Sequence, residues 1–393
     1  MPADAEYPVQ LEAPDISPYK AGNTGIDYST SFQAAEPGPH VMITAVVHGN
    51  ELCGAIALDW LMKLGVRPKR GRLSLGFMNV AAYTRFDPAE PLASRFVDED
   101  FNRLWDAETL DGPRQSVELT RAREVRPFLD TVDRLLDIHS MQHATGALML
   151  SGPLDKGRRL AEGTGVPELV VMDEGHAAGR RMRDYADFRN EASPKDALLV
   201  ECGQHWEKSS EHMAKETALR FLLYTGAVDM DFAGPHLGPP PPKQKIVEVT
   251  HPVTITTDRF RFAEDYRGLE TIAKAGTVLG YDGDDPVVTP HDDCVLIIKG
   301  YEGCCRCAGP SAGFAHDTRG ERPCLGSAPS TAPCFWVSNI SNVCSTRPPR
   351  SRARAIPPTI SNRWATICCA SRWPSPGSPT TIFPSRSRKT NWS

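Results

Sequence analysis

Short apolar runs alternate with helical patterns along the first 230 residues, and this alternation limits what the chain can fold into more than any other feature. Residues 40–47 are predicted to form a buried strand, residues 51–65 a helix and residues 71–80 a second strand. The further predicted elements are a helix at 116–135 with Ser116 as its N-cap, strands at 135–140, 168–173 and 197–203, and a helix at 209–226. Strands that alternate with helices predict an α/β fold with a mostly parallel or mixed sheet flanked by helices. Ligands in such folds bind beyond the carboxyl ends of the strands.

Four consecutive prolines at 239–242 interrupt this pattern. Such a run cannot continue a helix or a central strand, so residues 234–245 are predicted to form a Pro-rich linker. Residues 1–233 would then form the larger domain. After the linker, short strand patterns separated by turn glycines predict a small all-β domain at 246–299.

Residues 300–393 show neither helical nor strand periodicity. They contain eleven Arg but only one Lys, together with twelve Pro, fourteen Ser and eight Cys. This composition is typical of a disordered tail, and it is also what a GC-rich gene yields when it is read in the wrong frame. We therefore hypothesise a frameshift near residue 298. A metal or disulfide module is disfavoured, because the cysteines do not form regularly spaced C-x-x-C pairs.

Charge and cysteine usage indicate the class of protein. The net charge is −5, and the acidic excess lies before residue 300, so there is no basic surface that would suit nucleic acid. The N-terminal sequence lacks the pattern of a signal peptide, and no apolar run approaches the ~20 residues that span a bilayer. With only three cysteines before residue 300, the sequence predicts a reduced, cytoplasmic protein with no membrane partner.

Polar side chains stand where two apolar strands end. His48 and Glu51 follow the strand at 40–47, and the intervening Gly49 and Asn50 permit a tight turn. Imidazole and carboxylate are ligands for Zn²⁺, and a catalytic zinc has three protein ligands with one open position. His139, at the end of the strand at 135–140, is the best candidate for the third ligand. Its neighbour Asp137 could orient a ligand histidine.

Other histidines are weaker candidates than His139. His143, His176 and His205 rank lower as metal ligands, since none of them ends an apolar strand. His139 alone could also be a core histidine with satisfied hydrogen bonds.

Two more stretches carry chemistry. The polar segment 94–106 contains an adjacent Asn102–Arg103 pair, which suits a carboxylate because the guanidinium binds it in a fork and the amide adds a donor. Glu201 lies on an otherwise apolar strand, where a lone buried carboxylate is costly unless it is paired or functional. Such a group often serves as a general base.

Four motifs together resemble a known family. "HGNE", "RFVDEDFNR", "DIHS" and "VECG" occur in the order and spacing of the aspartoacylase and succinylglutamate desuccinylase family, which is related to the zinc carboxypeptidases. The resemblance covers roughly residues 20–298. It implies that residues 1–233 are a zinc hydrolase catalytic domain, with His48, Glu51 and His139 as zinc ligands.

The resemblance also implies roles for the remaining residues. Glu201 would be the general base, and Arg95 would polarise the scissile carbonyl. Asn102 and Arg103 would hold the substrate carboxylate, and Asp100 would support the arginines. The implied reaction is removal of an acyl group from an N-acyl amino acid or a related carboxylate-bearing amide, by a protein that could be a homo-oligomer.

Three alternatives remain open at this point. A metallocarboxypeptidase would use the same ligands on peptides, although the added β domain would restrict an open peptide cleft. Two histidines and a carboxylate can also hold Fe(II) in an oxygenase. The chain could instead be an inactive or non-enzymatic carboxylate-binding protein.

Overall fold

A computed structural model describes residues 7–175, 178–257, 259–266 and 268–299, and the short segments 334–339, 367–368 and 370–372. The predictions of a disordered tail and of a frameshift therefore fall mostly outside the described residues. The same is true of His176 as an alternative metal ligand. Within the described residues, no helix combines the length and apolar character needed to cross a bilayer.

The described residues that precede the prolines form alternating strands and helices. The strands are β1 (Ser29–Gln33), β2 (Glu36–Ala45), β3 (Arg70–Phe77), β4 (Arg134–Met141), β5 (Leu148–Leu150), β6 (Leu169–Met172) and β7 (Asp196–Gln204). The helices are α1 (Leu52–Lys63), α2 (Val80–Tyr83), α3 (Ala107–Asp111), α4 (Val117–Leu129), α5 (Asp155–Thr164), α6 (Lys208–Tyr224) and α7 (Met230–Ala233). Short 3₁₀ turns occur at 17–19, 101–103, 182–184, 186–189 and 234–236.

The remaining strands follow the prolines. They are β8 (Lys245–Val249), β9 (His251–Thr254), β10 (Arg261–Phe262), β11 (Thr271–Ile272), β12 (Val278–Asp282), β13 (Asp285–Val288), β14 (Cys294–Lys299), β15 (Cys334–Asn339), β16 (Ile367–Cys368) and β17 (Ala370–Arg372). Strands β10, β12 and β13 form a separate small antiparallel sheet. The predicted boundaries at 233, 245 and 299 stay predictions.

The main sheet is mixed, and its order places the site. The order begins β1-β3-β2-β4-β7-β5-β6-β8, in which β3, β2, β4 and β7 run parallel to one another. Strand β5 is antiparallel to β7, and β6 and β8 run parallel to β5. The carboxyl ends of β2, β4 and β7 therefore share one edge of the sheet with the amino ends of β5, β6 and β8.

Each face of the sheet buries its own apolar layer. On one face Ile43, Ile138 and Val200 pack in a cluster with helices α1 and α6. On the opposite face the apolar layer has two parts. One part includes Met42, Leu135 and residues of α4, and the other joins β5–β7 to β8 and β14. Covering helices on both faces confirm the predicted α/β fold.

Most predicted elements form within a few residues of their predicted ends. The predicted N-cap of α4 is confirmed, since Ser116 Oγ accepts a hydrogen bond from the Leu119 amide at 2.9 Å. The sequence analysis did not identify β1, β5 and α5. Strand β5 has three residues, too few to show a period of two.

Candidate metal centre

Strand β2 ends in a strained residue that turns the chain toward the site. Val46 has φ +61°, a conformation that is an outlier for a β-branched side chain and that persists only where its surroundings enforce it. Hydrogen bonds from Met78 N to Ala45 O and from Asn79 N to Val46 O hold this turn at 2.9 and 2.8 Å. The turn ends the strand and brings His48 to the sheet edge.

Gly49 allows the loop that carries His48 to pack closely against a second loop. A β-carbon at this position would lie 2.3 Å from Ser94 O and 2.5 Å from Tyr83 N, so only glycine fits. The Gly49 amide donates to Arg95 O at 3.0 Å. The loop that carries His48 and the loop that carries Arg95 are therefore packed backbone to backbone.

His48, Glu51 and His139 converge, as the resemblance implies they should. One ligand atom from each lies within 4.8 Å of the others, and all three side chains are buried. Glu51 Oε1 is 2.7 Å from His48 Nδ1, and Glu51 Oε2 is 2.9 Å from His139 Nδ1. The convergence follows from topology, because β2 and β4 are parallel neighbours whose ends meet at one edge.

Both histidines present Nδ1 to the cluster and Nε2 to an outer carboxylate. Asp137 Oδ2 lies 2.9 Å from His139 Nε2, the kind of contact expected for this aspartate. Asp100 Oδ1 lies 2.9 Å from His48 Nε2. The sequence analysis missed this second contact. An outer carboxylate of this kind fixes the tautomer and orientation of a metal-ligating imidazole.

The charges of the cluster favour ionised groups despite burial. Burial alone would raise the pKa of Glu51, but His48 and His139 outweigh it and hold that pKa well below its ordinary value. Burial would likewise lower the pKa of His139, but Asp137 and Glu51 raise it well above the usual range. In this buried group the imidazoles and the carboxylate stabilise each other's charged forms. A divalent cation could supply the positive charge in their place.

The polar segment 94–106 brings two arginines to this cluster. Arg95 Nη2 lies 3.3 Å from Asp100 Oδ2 and 3.2 Å from His48 Nε2. Arg103 Nη2 is 3.7 Å from the same Asp100 oxygen, so Asp100 contacts both arginines as well as His48. Asn102 is buried, and its Oδ1 accepts a hydrogen bond from Met182 N at 2.8 Å. Its amide NH₂ is therefore the end that it can offer a ligand.

Glu118 holds this segment in place, and the sequence analysis did not identify it. Its fully buried carboxylate accepts hydrogen bonds from the backbone amides of Val97, Asp98 and Glu99, at 2.6, 3.0 and 3.3 Å. Asn79 Nδ2 donates to the same carboxylate at 3.0 Å. In the sequence, Glu118 is marked only by its position two residues after the N-cap Ser116. This position is a weak indication of function, because acidic residues are common in the first turn of any helix.

Glu201 lies beside His139 on the neighbouring strand. The two residues are register partners in the parallel pairing of β4 with β7, and Glu201 is 4% exposed. Paired residues of adjacent strands point to the same face, about 5 Å apart at the backbone. The buried carboxylate is therefore adjacent to the three-residue cluster.

The other described histidines lie outside the cluster. His205 Nδ1 is 2.8 Å from Ser140 Oγ, and burial lowers the pKa of His205 to about 3, so the ring is neutral. His143 packs edge-on against Tyr7, with 6.5 Å between the ring centroids. Neither of them joins His48, Glu51 and His139, in agreement with their lower predicted rank.

These donors fit a metal ion of the zinc type. Two imidazole nitrogens and a carboxylate oxygen form a three-ligand set of the kind found at catalytic zinc sites, and both outer nitrogens contact carboxylates.

Comparison with known proteins gives the family. The family described as "Succinylglutamate desuccinylase/Aspartoacylase catalytic domain" matches residues 37–223. This range includes the three cluster residues, the polar segment 94–106 and Glu201.

Two curated relatives match a shorter part of the chain. Both are named N-acyl-aromatic-L-amino acid amidohydrolase (carboxylate-forming). The protein from Rattus norvegicus is 32% identical over 127 residues, and the one from Mus musculus is 34% identical over 130. Each match covers 30% of this chain and 38% of the length of the relative.

Solved structures also match this chain, at low sequence identity. A succinylglutamate desuccinylase from Vibrio cholerae is 20% identical with a TM-score of 0.49, covering 78% of this chain and 82% of that one. A succinylglutamate desuccinylase/aspartoacylase from Rhodobacter sphaeroides is 17% identical with a TM-score of 0.48, covering 70% and 83%. Residues 37–223 of this chain therefore match the catalytic domain of the succinylglutamate desuccinylase/aspartoacylase family.

Proposed function

We propose that this protein is a zinc-dependent hydrolase that removes the acyl group from an N-acyl amino acid or a related carboxylate-bearing amide. The observation that carries the proposal is the convergence of His48, Glu51 and His139 within 4.8 Å, inside a domain of a deacylase family. The names of the curated relatives support an acylated amino acid as the substrate class. Nothing in the family match favours the carboxypeptidase, oxygenase or non-enzymatic alternatives.

In this proposal His48 Nδ1, Glu51 and His139 Nδ1 hold the zinc ion. When bound, zinc would supply a Lewis acid and lower the pKa of a coordinated water to about 7. Asp100 and Asp137 keep the two imidazoles oriented through their Nε2 atoms. Asp100 thereby acts through His48 and the arginines.

Glu201 is the proposed general base. Its carboxylate accepts the proton of the attacking water and then delivers it to the amine nitrogen as the amide bond breaks. Its place next to His139 on the same face of the sheet supports this role.

Arg95 is the proposed electrostatic partner of the scissile carbonyl. Its Nη2 lies 3.2 Å from His48 Nε2 and 3.3 Å from Asp100 Oδ2. These contacts place its positive charge beside the cluster. A fixed cation at this place would stabilise negative charge as it develops on the carbonyl oxygen.

Arg103 and Asn102 are the proposed anchor for the substrate carboxylate. A guanidinium and a side-chain amide can bind a carboxylate with several charge-assisted hydrogen bonds. Asn102 is held by the Met182 amide, and Glu118 supports the segment that carries both residues. Arg103 adjoins the His48 end of the cluster through Asp100.

The decisive experiment combines metal analysis with a substrate screen. Protein purified without added metal is expected to contain about one zinc per chain, and it should hydrolyse N-acyl amino acids faster than peptides. Iron in place of zinc would favour an oxygenase. Zinc-loaded protein that hydrolyses no acylated amino acid would refute the proposal.

Glu201→Gln tests the base. We expect kcat to fall about 10²–10⁴-fold while the zinc content stays unchanged, because the amide keeps the shape but cannot accept the proton. Glu207→Gln, on the same segment beyond the strand, is the matched control. Unchanged turnover in Glu201→Gln would remove this residue from the mechanism.

Arg103→Ala tests carboxylate recognition. We expect KM for N-acyl amino acids to rise about 10–100-fold, because a charge-assisted pair is lost. The corresponding substrate amides, which lack the carboxylate, should lose much less. An equal loss for both kinds of substrate would argue against this anchor.

A further inference from the structure

A cavity of about 560 Å³ lies at the same edge of the sheet as the candidate metal centre, on the far side of Glu201. Its lining includes Gly146, Ala147, Leu169, Val247, Leu269 and Val295. They come from the two parts of the chain on either side of the prolines. The volume is within the range of small-molecule sites, about 300–1,000 Å³.

The strand register places this cavity next to the proposed base. Leu148 is the register partner of Glu201, and Leu169 is the partner of Leu148. Each step between strands is about 5 Å, so the cavity wall at Leu169 is about 10 Å from Glu201 at the backbone. Leu148 and Leu169 pack in the same layer as Leu199, which lies two residues before Glu201 and therefore points to the same face.

The substrate direction then decides what enters the cavity. In the proposed carboxylate anchor, Arg103 contacts Asp100, which contacts His48 at the β2 end of the cluster. The cavity lies on the β5–β6 side, beyond Glu201. An N-acyl amino acid with its carboxylate at Arg103 and its amide beside Glu201 must extend its acyl group toward β5 and β6. The acyl group is therefore the part of the substrate that reaches the cavity.

The cavity wall is built for an apolar group. Val247 and Val295 are buried, and Leu169 and Leu269 pack against the same apolar layer. Lys245 is the cation of the lining, and it forms an ion pair with Glu168. Because this pair is already neutral, it gives a second substrate carboxylate little attraction.

Leu269 provides an independent sign of a functional surface. Its φ is +71°, a strained conformation for a leucine, and its amide donates to Leu296 O at 2.6 Å. Its Cδ1 lies 3.5 Å from where a β-carbon on Gly146 would stand. The strained backbone therefore directs the Leu269 side chain across the cavity, toward the loop that precedes β5.

We propose that this cavity is an acyl-group subsite and that the preferred substrates carry a bulky apolar acyl chain, aliphatic or aromatic, rather than acetyl or succinyl. The inference rests on the proposed function. It goes further by naming the acyl class and the residues that select it.

The first test is a series of N-acyl-L-phenylalanines with acetyl, butanoyl, hexanoyl, benzoyl and succinyl groups, using the full chain loaded with zinc. The value of kcat/KM is expected to rise about two- to fourfold for each methylene buried, from acetyl to hexanoyl. The succinyl compound should fall below the butanoyl compound. Equal rates for acetyl, succinyl and hexanoyl substrates would overturn the subsite while leaving the proposed function intact.

Ala147→Phe narrows the cavity and should lower the hexanoyl-to-acetyl ratio of kcat/KM toward one. Ala275→Phe is the matched control, because Ala275 is exposed and lies outside the lining, and it should keep the wild-type ratio. If Ala147→Phe does not fold, Leu269→Ala enlarges the cavity and should shift the optimum to a longer acyl chain. An unchanged chain-length preference in the variant that folds would refute the subsite.

Direct binding separates this inference from the proposed function. If no N-acyl amino acid is hydrolysed, the proposed function fails, and calorimetry with hexanoate and acetate then decides the subsite. Hexanoate that binds more tightly than acetate, and loses that advantage in Ala147→Phe, supports it. Equal binding of both acids, or hexanoate binding that Ala147→Phe does not weaken, overturns it.

Discussion

Two buried histidines, one within strand β2 and one beyond it, have different surroundings. His40 is the first buried residue of the strand and His48 lies just after its end, and both are almost fully buried. The hydrogen-bond partners of the His40 ring are uncharged: its Nδ1 is 3.0 Å from Thr131 O, and its Nε2 is 2.7 Å from Ser74 Oγ. The two nitrogens of His48 instead face the carboxylates of Glu51 and Asp100.

The difference separates a structural histidine from a candidate ligand. Burial lowers the pKa of His40 to about 4, so the ring is neutral and its hydrogen bonds are complete within the protein. When both ring nitrogens face carboxylates, one carboxylate fixes the orientation of the ring. The other nitrogen then faces a negative charge that would suit a bound cation. Burial alone does not distinguish the two cases, whereas the charge of the partners does.

The largest expected effect is the loss of metal. His139→Asn should reduce the zinc content from about one per chain to nearly none and lower activity at least about a thousandfold, because a ligand and its charge balance are lost. His40→Asn is the control, since it changes a buried histidine whose ring contacts Thr131 and Ser74 and no residue of the cluster. Full zinc occupancy in His139→Asn, measured by elemental analysis, would contradict the assignment.

The next effect is an acid-dependent loss of stability at His40. Its folded-state pKa of about 4 lies below the unfolded value near 6.5, so its contribution is complete above pH 6.5 and is lost as the pH falls toward 4. The full loss is about 3 kcal/mol. Urea unfolding of the wild type and His40→Gln between pH 7 and pH 4 should show their free energies of unfolding converge. A difference independent of pH would rule out this role.

The smallest effect concerns the outer carboxylate of His139. Asp137→Asn should weaken zinc binding about 10–100-fold, because the imidazole loses its orienting partner. The same change at Asp133, four residues earlier on the amino side of β4, weakens the hydrogen bond that this side chain accepts from His40 N and should leave zinc affinity unchanged. Equal losses in both variants, measured by competition with a chelator, would show a general effect of folding.

Local pattern was sufficient to predict which three side chains converge in the candidate metal centre. His48 and His139 each follow or end an apolar strand, and parallel neighbours must bring such ends to one edge. Asp137 was predictable because residues two apart on a strand share a face.

Contacts that depend on tertiary structure could not be predicted. Asp100 reaches His48 across 52 residues through a loop whose course depends on Glu118 and on the absence of a side chain at Gly49. The reversal of β5 relative to β7 was equally hidden, since three buried residues carry no sign of direction. The cavity needs residues from both sides of the prolines, so no single segment of the sequence reveals it.

The reversed direction of β5, β6 and β8 has a consequence for how such a protein can diversify. The loops that lead into these strands, near residues 143–147, 165–168 and 242–244, all open at the same rim as the loops that leave β2, β4 and β7. Insertions there can reshape substrate choice without touching the frame. Insertions on the opposite rim, such as the turn at 193–195, can lengthen or attach new modules with no effect on specificity.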